Sequence, residues 1–417
     1  MSDGSEGTAA AEEALERGDL TTAEELGRAA LSDGESLSAR LTLAQALAWQ
    51  GRGRDADAVM AEVDESALGE ADLMAWALPR AANQFWMLDQ PERATAFLHT
   101  VRAKVTSEGA GATLDALLGT FTMNAGSPER AMQIAREVLD SPDADRQAVG
   151  WAAAAAALCL ARMGTFTDVD ELAARAIAAG HPGLLRFTSA LGQTTALIMS
   201  GRLDRAQELA QELVDGSPPS QPSHAIGLLL VADVLIARGE VADSVEMLES
   251  AATTLAPTGY SWGPLAWMLL AQALGQLGRV ADAGRMLAKA EARHGLKSML
   301  FAPELSLARA WTASARRDGP EAISAAREAA RAAERGGQSA VALRALIDAV
   351  RLGDMRATDA IERLGVDCTV GRLALSYARA FTTGDAAALD DAAAAFDAIG
   401  MRGVASDAAK QAVAARG

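Results

Sequence analysis

The stretch Trp267-Met268-Leu269-Leu270-Ala271-Gln272-Ala273-Leu274-Gly275-Gln276-Leu277-Gly278-Arg279-Val280-Ala281-Asp282-Ala283-Gly284-Arg285-Met286 decides the fold. Gly278 divides it. Leu274 and Ala271 lie four and seven residues before that glycine, and Ala283 and Met286 lie five and eight after it. Spacings of three and four gather apolar residues on one face of a helix, while a glycine between two such faces ends one helix and frees the next. The stretch therefore reads as helix A, a short turn, and helix B.

The same pattern recurs in both directions. Helix breakers stand at Gly18, Gly51, Asp89, Gly126, Gly164, Gly201, Gly239, Gly278, an Asp318-Gly319 pair, Gly353 and Gly384, and from Gly51 to Gly278 they are 37 to 39 residues apart. Five residues after each breaker comes a small or β-branched residue: Ala23, Ala56, Ala94, Ala131, Val169, Ala206, Ser244, Ala283. Eight residues after, every position is apolar, from Leu26 and Val59 through Ile134 to Met247 and Met286. A helix pair of under 40 residues cannot bury its own stripe, but stacked pairs cover one another. The expected fold is all-α: an α-solenoid of about eleven antiparallel helix hairpins forming a superhelix. Residues 1–8 read as a flexible N-terminus, 9–320 as regular helical repeats, and 321–417, where the spacing turns irregular, as an atypical C-terminal cap continuous with the solenoid.

Composition agrees with this reading and excludes several chemistries. The chain has 417 residues, half of them hydrophobic but only 4% aromatic, and its 38 Lys plus Arg face 55 Asp plus Glu for a net charge of −17. Such acidity argues against direct contact with nucleic acid, whose binding rests on basic side chains. The two cysteines, Cys159 and Cys368, are far apart and belong to no metal-binding pattern. No apolar run is long enough for a membrane span, and the first residues lack the apolar core of a signal peptide, so a cytoplasmic protein without membrane contact is expected. No phosphate-binding glycine loop, HExxH or nucleophile elbow occurs, there are four lysines in all, and none of His99, His181, His224 and His294 has metal-ligand spacing. We expect no enzyme activity, no metal and no cofactor.

Trp267-x-x-Leu270-Ala271-x-x-Leu274-x-x-x-Gly278 followed by Ala283 resembles the tetratricopeptide repeat, whose motif runs W-x-x-L-G-x-x-Y with a later Ala. Most other repeats here lack the Trp and Tyr, and the period exceeds that family's usual 34. Longer repeats of this kind are similar to the sensor solenoid of MalT-like regulators, the signal-responsive ATPases with a LuxR-type helix-turn-helix. The Ala-rich segment around Phe396-Asp397-Ala398-Ile399-Gly400 resembles the stretch preceding the DNA-binding domain in actinobacterial members. The resemblance implies a sensor segment that relays an effector to ATPase and DNA-binding domains lying outside these 417 residues.

In tetratricopeptide repeats helix A lines a concave face. Counting back from each breaker assigns to that face Trp76, Asn83, Trp86, Thr120, Asn124, Trp151, Asp233, Gln272 and Trp311, with Gln45, Trp49, Thr188 and Glu304 among their neighbours. Tyr260-Ser261-Trp262-Gly263-Pro264 reads as a rim. Flat indoles beside amides and hydroxyls suit a di- or oligosaccharide. The same set suits an extended peptide, so a protein-interaction scaffold with a protein partner, or self-association, is the alternative.

Overall fold

The computed structural model describes residues 3–33, 36–180, 185–219 and 221–417. Among them are 23 α-helices and no strand. They pair into hairpins: α1 (Asp3–Glu16) with α2 (Leu20–Asp33), α3 (Leu37–Trp49) with α4 (Gly53–Ala61), α5 (Glu70–Ala82) with α6 (Pro91–Arg102), α7 (Glu108–Asn124) with α8 (Pro128–Asp140), and α9 (Arg146–Met163) with α10 (Val169–Ala178). Next come α11 (Leu185–Met199) with α12 (Leu203–Asp215), α13 (Pro222–Arg238) with α14 (Val241–Leu255), and α15 (Trp262–Gln276) with α16 (Val280–Arg293). The last are α17 (Ala302–Ala315) with α18 (Gly319–Arg335), α19 (Ser339–Arg351) with α20 (Thr358–Leu364), and α21 (Thr369–Thr383) with α22 (Ala386–Ala398), after which α23 (Arg402–Arg416) stands unpaired. Eleven hairpins and a closing helix form the expected solenoid. Helix α1 starts at Asp3, so the lead-in read as flexible is helical from there on. Met1, Ser2, His181 and Ser220 lie outside the described residues.

The breakers work as a left-handed residue after helix A. Gly18, Gly51, Gly126, Gly164, Gly201, Gly239, Gly278, Gly353 and Gly384 all have positive φ, as do the two non-glycine turn residues Asp89 (53°) and Arg317 (62°). The ninth turn thus differs from expectation by one residue. Arg317 takes the left-handed place, Asp318 caps α18 by accepting from the Glu321 N–H, and Gly319 is already helical. The column five residues after the breaker explains the close approach of A and B. Ala23, Ala56, Ala94, Ala131, Ala206, Ser244 and Ala283 are all fully buried.

From α1 to α21 odd-numbered helices pack on the next odd-numbered helix, which makes them the inner layer. In α15 every residue from Trp262 to Gly275 is buried, whereas in α16 only Ala283 and Ala290 are. One hairpin departs from regularity. Pro79 inside α5 has no N–H to give, and the helix ends in a π-helical turn, Asn83–Met87, where the Leu88 N–H returns to the Asn83 carbonyl.

The rotation per hairpin brings the chain back on itself after about five hairpins. The turn at Gly51 lies against Pro257, that at Gly126 against Met299, that at Gly164 against Val366, that at Gly201 against Ile399 and that at Gly239 against Gly403. These A–B turns are thereby covered by a B–A loop or helix start about five hairpins further on. Polar contacts stitch this seam: Lys297 Nζ donates to the Trp86 carbonyl (2.6 Å), and Arg162 donates to the Leu300 carbonyl (2.8 Å), Glu304 and Gln338. Turns later in the chain, at Gly278, Gly353 and Gly384, face nothing.

Candidate functional site

One early turn escapes this rule. Among the described residues none comes within 4 Å of a β-carbon placed at Gly18, although Gly18, Gly216, Ser217, Pro218 and Gln221 border the same space. Beside it is a cavity of about 880 Å³ lined by residues of both superhelical turns. That size is within the range of small-molecule pockets.

Hairpins one to five supply one side. Leu15, Arg17, Gln45 and Trp49 come from the first two, Pro79 and Trp86 from the third, Thr120, Met123 and Asn124 from α7, and Gln147 and Trp151 from α9. The later elements supply the other. Arg186, Phe187 and Thr188 open α11, Gln221, Pro222 and Ser223 open α13, Tyr260, Ser261 and Trp262 open α15, and Leu300 and Phe301 precede α17. Seven of the chain's 17 aromatic residues are among these 33 lining residues, while none of its 55 carboxylates is among the described ones. Trp86 is braced by Phe121 (ring centroids 5.2 Å) and Tyr260 (5.6 Å), so its plane is fixed by both turns.

Polar groups in the wall are partly committed. The Thr120 hydroxyl donates to the Ala116 carbonyl (3.1 Å) and the Asn124 amide Nδ2 to the Thr120 carbonyl (2.9 Å). The buried Ser261 hydroxyl lies 3.0 Å from Asn124 Oδ1 and 2.7 Å from the Lys297 carbonyl. Burial draws the Lys297 ammonium below the usual lysine range, with Asp89 opposing.

Of the nine residues assigned to the concave face from sequence, Trp86, Thr120, Asn124 and Trp151 line this cavity together. Trp76 and Asn83 stand elsewhere. Trp76 is 1% exposed, donates its indole N–H to the Met60 carbonyl (2.8 Å), and packs on the Phe97 edge and the Arg80 guanidinium. Asn83 donates to the Gly53 carbonyl at 2.9 Å, tying the third hairpin to the second. The remaining three meet protein, Gln272 and Trp311 on the next hairpin and Asp233 three hairpins on. Asp233 pairs with Arg344 (2.9 Å), Gln272 donates to the Glu304 carbonyl (3.0 Å), and Trp311 donates to Asp348 (3.1 Å) under the Arg351 guanidinium. Along the second half the inner face is thus closed by its own side chains. The expected rim, Tyr260 to Trp262, is on the cavity. Arg186, Gln147, Gln221 and Phe301 escaped the sequence reading. Thr188 marked the column, but the others sit at helix starts, where the family's counting places no contact.

Among the described residues no group of His, Cys, Asp and Glu could hold a metal ion, and no helix is long and apolar enough to cross a membrane. Burial pushes the Cys159 thiol up to about 12.

The hairpins and their superhelix define a tetratricopeptide-like helical-repeat protein. Neither a protein-family model nor a curated protein matches the chain. Among solved structures it is similar to a Rap protein complexed with Competence and Sporulation Factor, at 11% identity over 83% of this chain and 98% of that one, with a TM-score of 0.53. It also matches the human IFIT1 dimer with m7Gppp-AAAA (13% identity, 97% and 88% covered, TM-score 0.42) and the Cut9–Hcn1 hetero-tetramer (16%, 100% and 94%, 0.30). The Rap likeness extends to the fold.

Proposed function

We propose that this chain is a non-enzymatic effector-binding solenoid. A small molecule enters between the first hairpin and the residues Gly216, Ser217, Pro218 and Gln221, rests on Trp86, Trp151 and Trp262, and holds the two superhelical turns together. The observation that carries this reading is the aromatic cavity of about 880 Å³ built from both superhelical turns. A ligand touching both sides favours, by its differential contacts, the arrangement in which both reach it, and nearest-neighbour packing passes the change along the hairpins. The resemblance of the long repeats and of the segment around Phe396–Gly400 to MalT-like regulators supports placing this switch in a LuxR-type transcriptional regulator, as its sensor for ATPase and DNA-binding domains. A di- or oligosaccharide is the occupant that resemblance favours. Against it stands the committed state of Thr120 and Asn124, which leaves Gln45, Gln147, Gln221 and Ser223 for sugar hydroxyls.

The second reading, a scaffold for a protein or peptide partner, draws support from the Rap structure, which is a complex with Competence and Sporulation Factor. Thermal-shift measurements of the chain with maltooligosaccharides, short peptides and apolar small molecules separate the two, since a ligand of the folded state stabilises it by mass action. Stabilisation by a small molecule that vanishes in Trp151→Ala supports the effector reading. Stabilisation by peptides alone moves the assignment to the scaffold.

A further inference from the structure

Resting on the cavity reading above, we infer that the site takes a flat, largely apolar molecule carrying one anionic head group, a carboxylate or a phosphate, with the head beside Arg186. Three observations converge. First, acidic residues make up 55 of the 417, yet none of the described lining residues is one, while Arg17 and Arg186 are its charged side chains. An acidic protein that keeps carboxylates away from one cavity leaves there the place where an anion is least repelled.

Second, the two arginines differ. Arg17 is held by Glu13 at 2.6 Å with both side chains more than half exposed. Arg186 is half-buried, stacks 5.2 Å from the Phe187 ring, and meets no carboxylate among the described residues. The other sheltered arginines of the molecule all have one: Arg162 has Glu304, Arg344 has Asp233, and Arg351 has Asp348 and Asp407. A guanidinium kept half out of water without its own counter-ion has donors to spare for a planar oxyanion.

Third, the wall is rich in aromatic rings, although Gln45, Gln147, Gln221 and Ser223 also border it. Trp151 and Trp262 line it with Leu158, Met123 and Phe301, which offer nothing to hydroxyls. A neutral sugar would leave its donors without acceptor carboxylates there. An aromatic or polycyclic acid matches both the plane and the charge.

The test uses two probes with the same rings: 1-anilinonaphthalene-8-sulfonate, which is anionic, and N-phenyl-1-naphthylamine, which is neutral. Energy transfer from tryptophan to each probe is titrated with the folded chain, Arg186→Gln and Trp151→Ala. We expect the anionic probe to bind about tenfold more tightly than the neutral one, a gap that shrinks with added salt. Arg186→Gln removes that gap and leaves neutral-probe affinity within about twofold, while Trp151→Ala weakens both. Competition by 2-naphthoate and 2-naphthyl phosphate then tells the head group, the stronger competitor naming it. Equal affinity for the two probes, an unchanged gap in Arg186→Gln, or no competition by either naphthyl acid overturns the assignment. Should Arg186→Gln fail to fold, the comparison of the two probes on the unaltered chain still decides. Neutral-probe binding without an anionic gap refutes this ligand class alone. Binding of neither probe refutes the cavity as a small-molecule site as well.

Discussion

Arg317 holds a left-handed backbone that its side chain disfavours, at φ 62°, in the place where nine other hairpin turns use glycine. A β-carbon in that region costs roughly 1 kcal/mol relative to glycine. Arg317→Gly should therefore raise stability by about 1 kcal/mol, seen as a higher urea midpoint at unchanged slope; an unchanged or lower midpoint would mean that the turn is not strained. Cys159 makes a different kind of claim. Its thiol is enclosed in the Ala-rich α9, and burial lifts its pKa from 9.0 to about 12, with Arg162 opposing weakly. A thiol whose folded pKa is raised contributes stability present below pH 9 and lost as pH climbs toward 12. Thiol reagents at pH 8 should modify Cys159 only at the rate of unfolding, and fast labelling of the native chain would contradict this packing. The same scale shows where sequence reading stops. Trp76 and Trp86 both sit at helical spacing in one hairpin, yet a π turn after Pro79 separates them. One indole fills the hairpin core and the other faces the cavity. No spacing rule on a regular helix anticipates that shift. Trp76→Ala should cost about 3–5 kcal/mol of stability, whereas Trp151→Ala, half-buried against the edge of two core clusters, should cost less and lower the melting temperature by fewer degrees.

Among elements, the helix and its partner were legible because each hairpin repeats one physical problem: a helix face that must be covered by small residues at fixed offsets. The column from Ala23 to Ala283 is buried throughout for that reason. Close helix crossings also have a sequence mark, though a less obvious one. Gly275 lies where a β-carbon would come within 2.6 Å of the Trp311 backbone carbon and 2.7 Å of its carbonyl oxygen, so α15 touches α17 backbone to backbone. Gly275→Ala must part the two helices, because neither neighbour is a movable side-chain end. A loss of about 1–3 kcal/mol is expected from overpacking. The displacement should also disturb the Trp311 ring, whose contacts with Asp348 and Arg351 follow α17. Tryptophan fluorescence in the native baseline reads that shift, and a variant that loses stability without it would show that α17 has stayed in place. The capping irregularity was less legible: hairpins ten and eleven are short or uneven in sequence, but they stay in the stack because α19 meets α9 and α21 meets α11, with the closing α23 on α13.

At the scale of the molecule the decisive feature is the seam, and it is the part the sequence conceals. A repeat period fixes that hairpins stack. The rotation between hairpins accumulates over about five of them before two turns meet, so small errors in angle decide which residues touch. That is why Asp233 on α13 is consumed by Arg344 three hairpins on, while Trp86 and Trp151 remain on a cavity; Gln272 and Trp311 are taken by the next hairpin instead. Glycine at the turns records the seam without announcing it, because the left-handed backbone already accounts for it. Two substitutions separate these causes. Gly278 (φ 71°) has no atom within 4 Å of where its β-carbon would stand, whereas at Gly239 (φ 85°) that carbon would lie 2.3 Å from the Gly403 nitrogen. The backbone penalty is common to both, about 1 kcal/mol. Gly239→Ala must in addition push α23 off the end of α13, so it should cost about 1–3 kcal/mol more than Gly278→Ala. It should also enlarge the radius of gyration in solution scattering, which Gly278→Ala leaves unchanged. Equal losses in the two variants would mean that the turns of the superhelix do not bear on each other, and with them would go the closed wall that the ligand cavity requires.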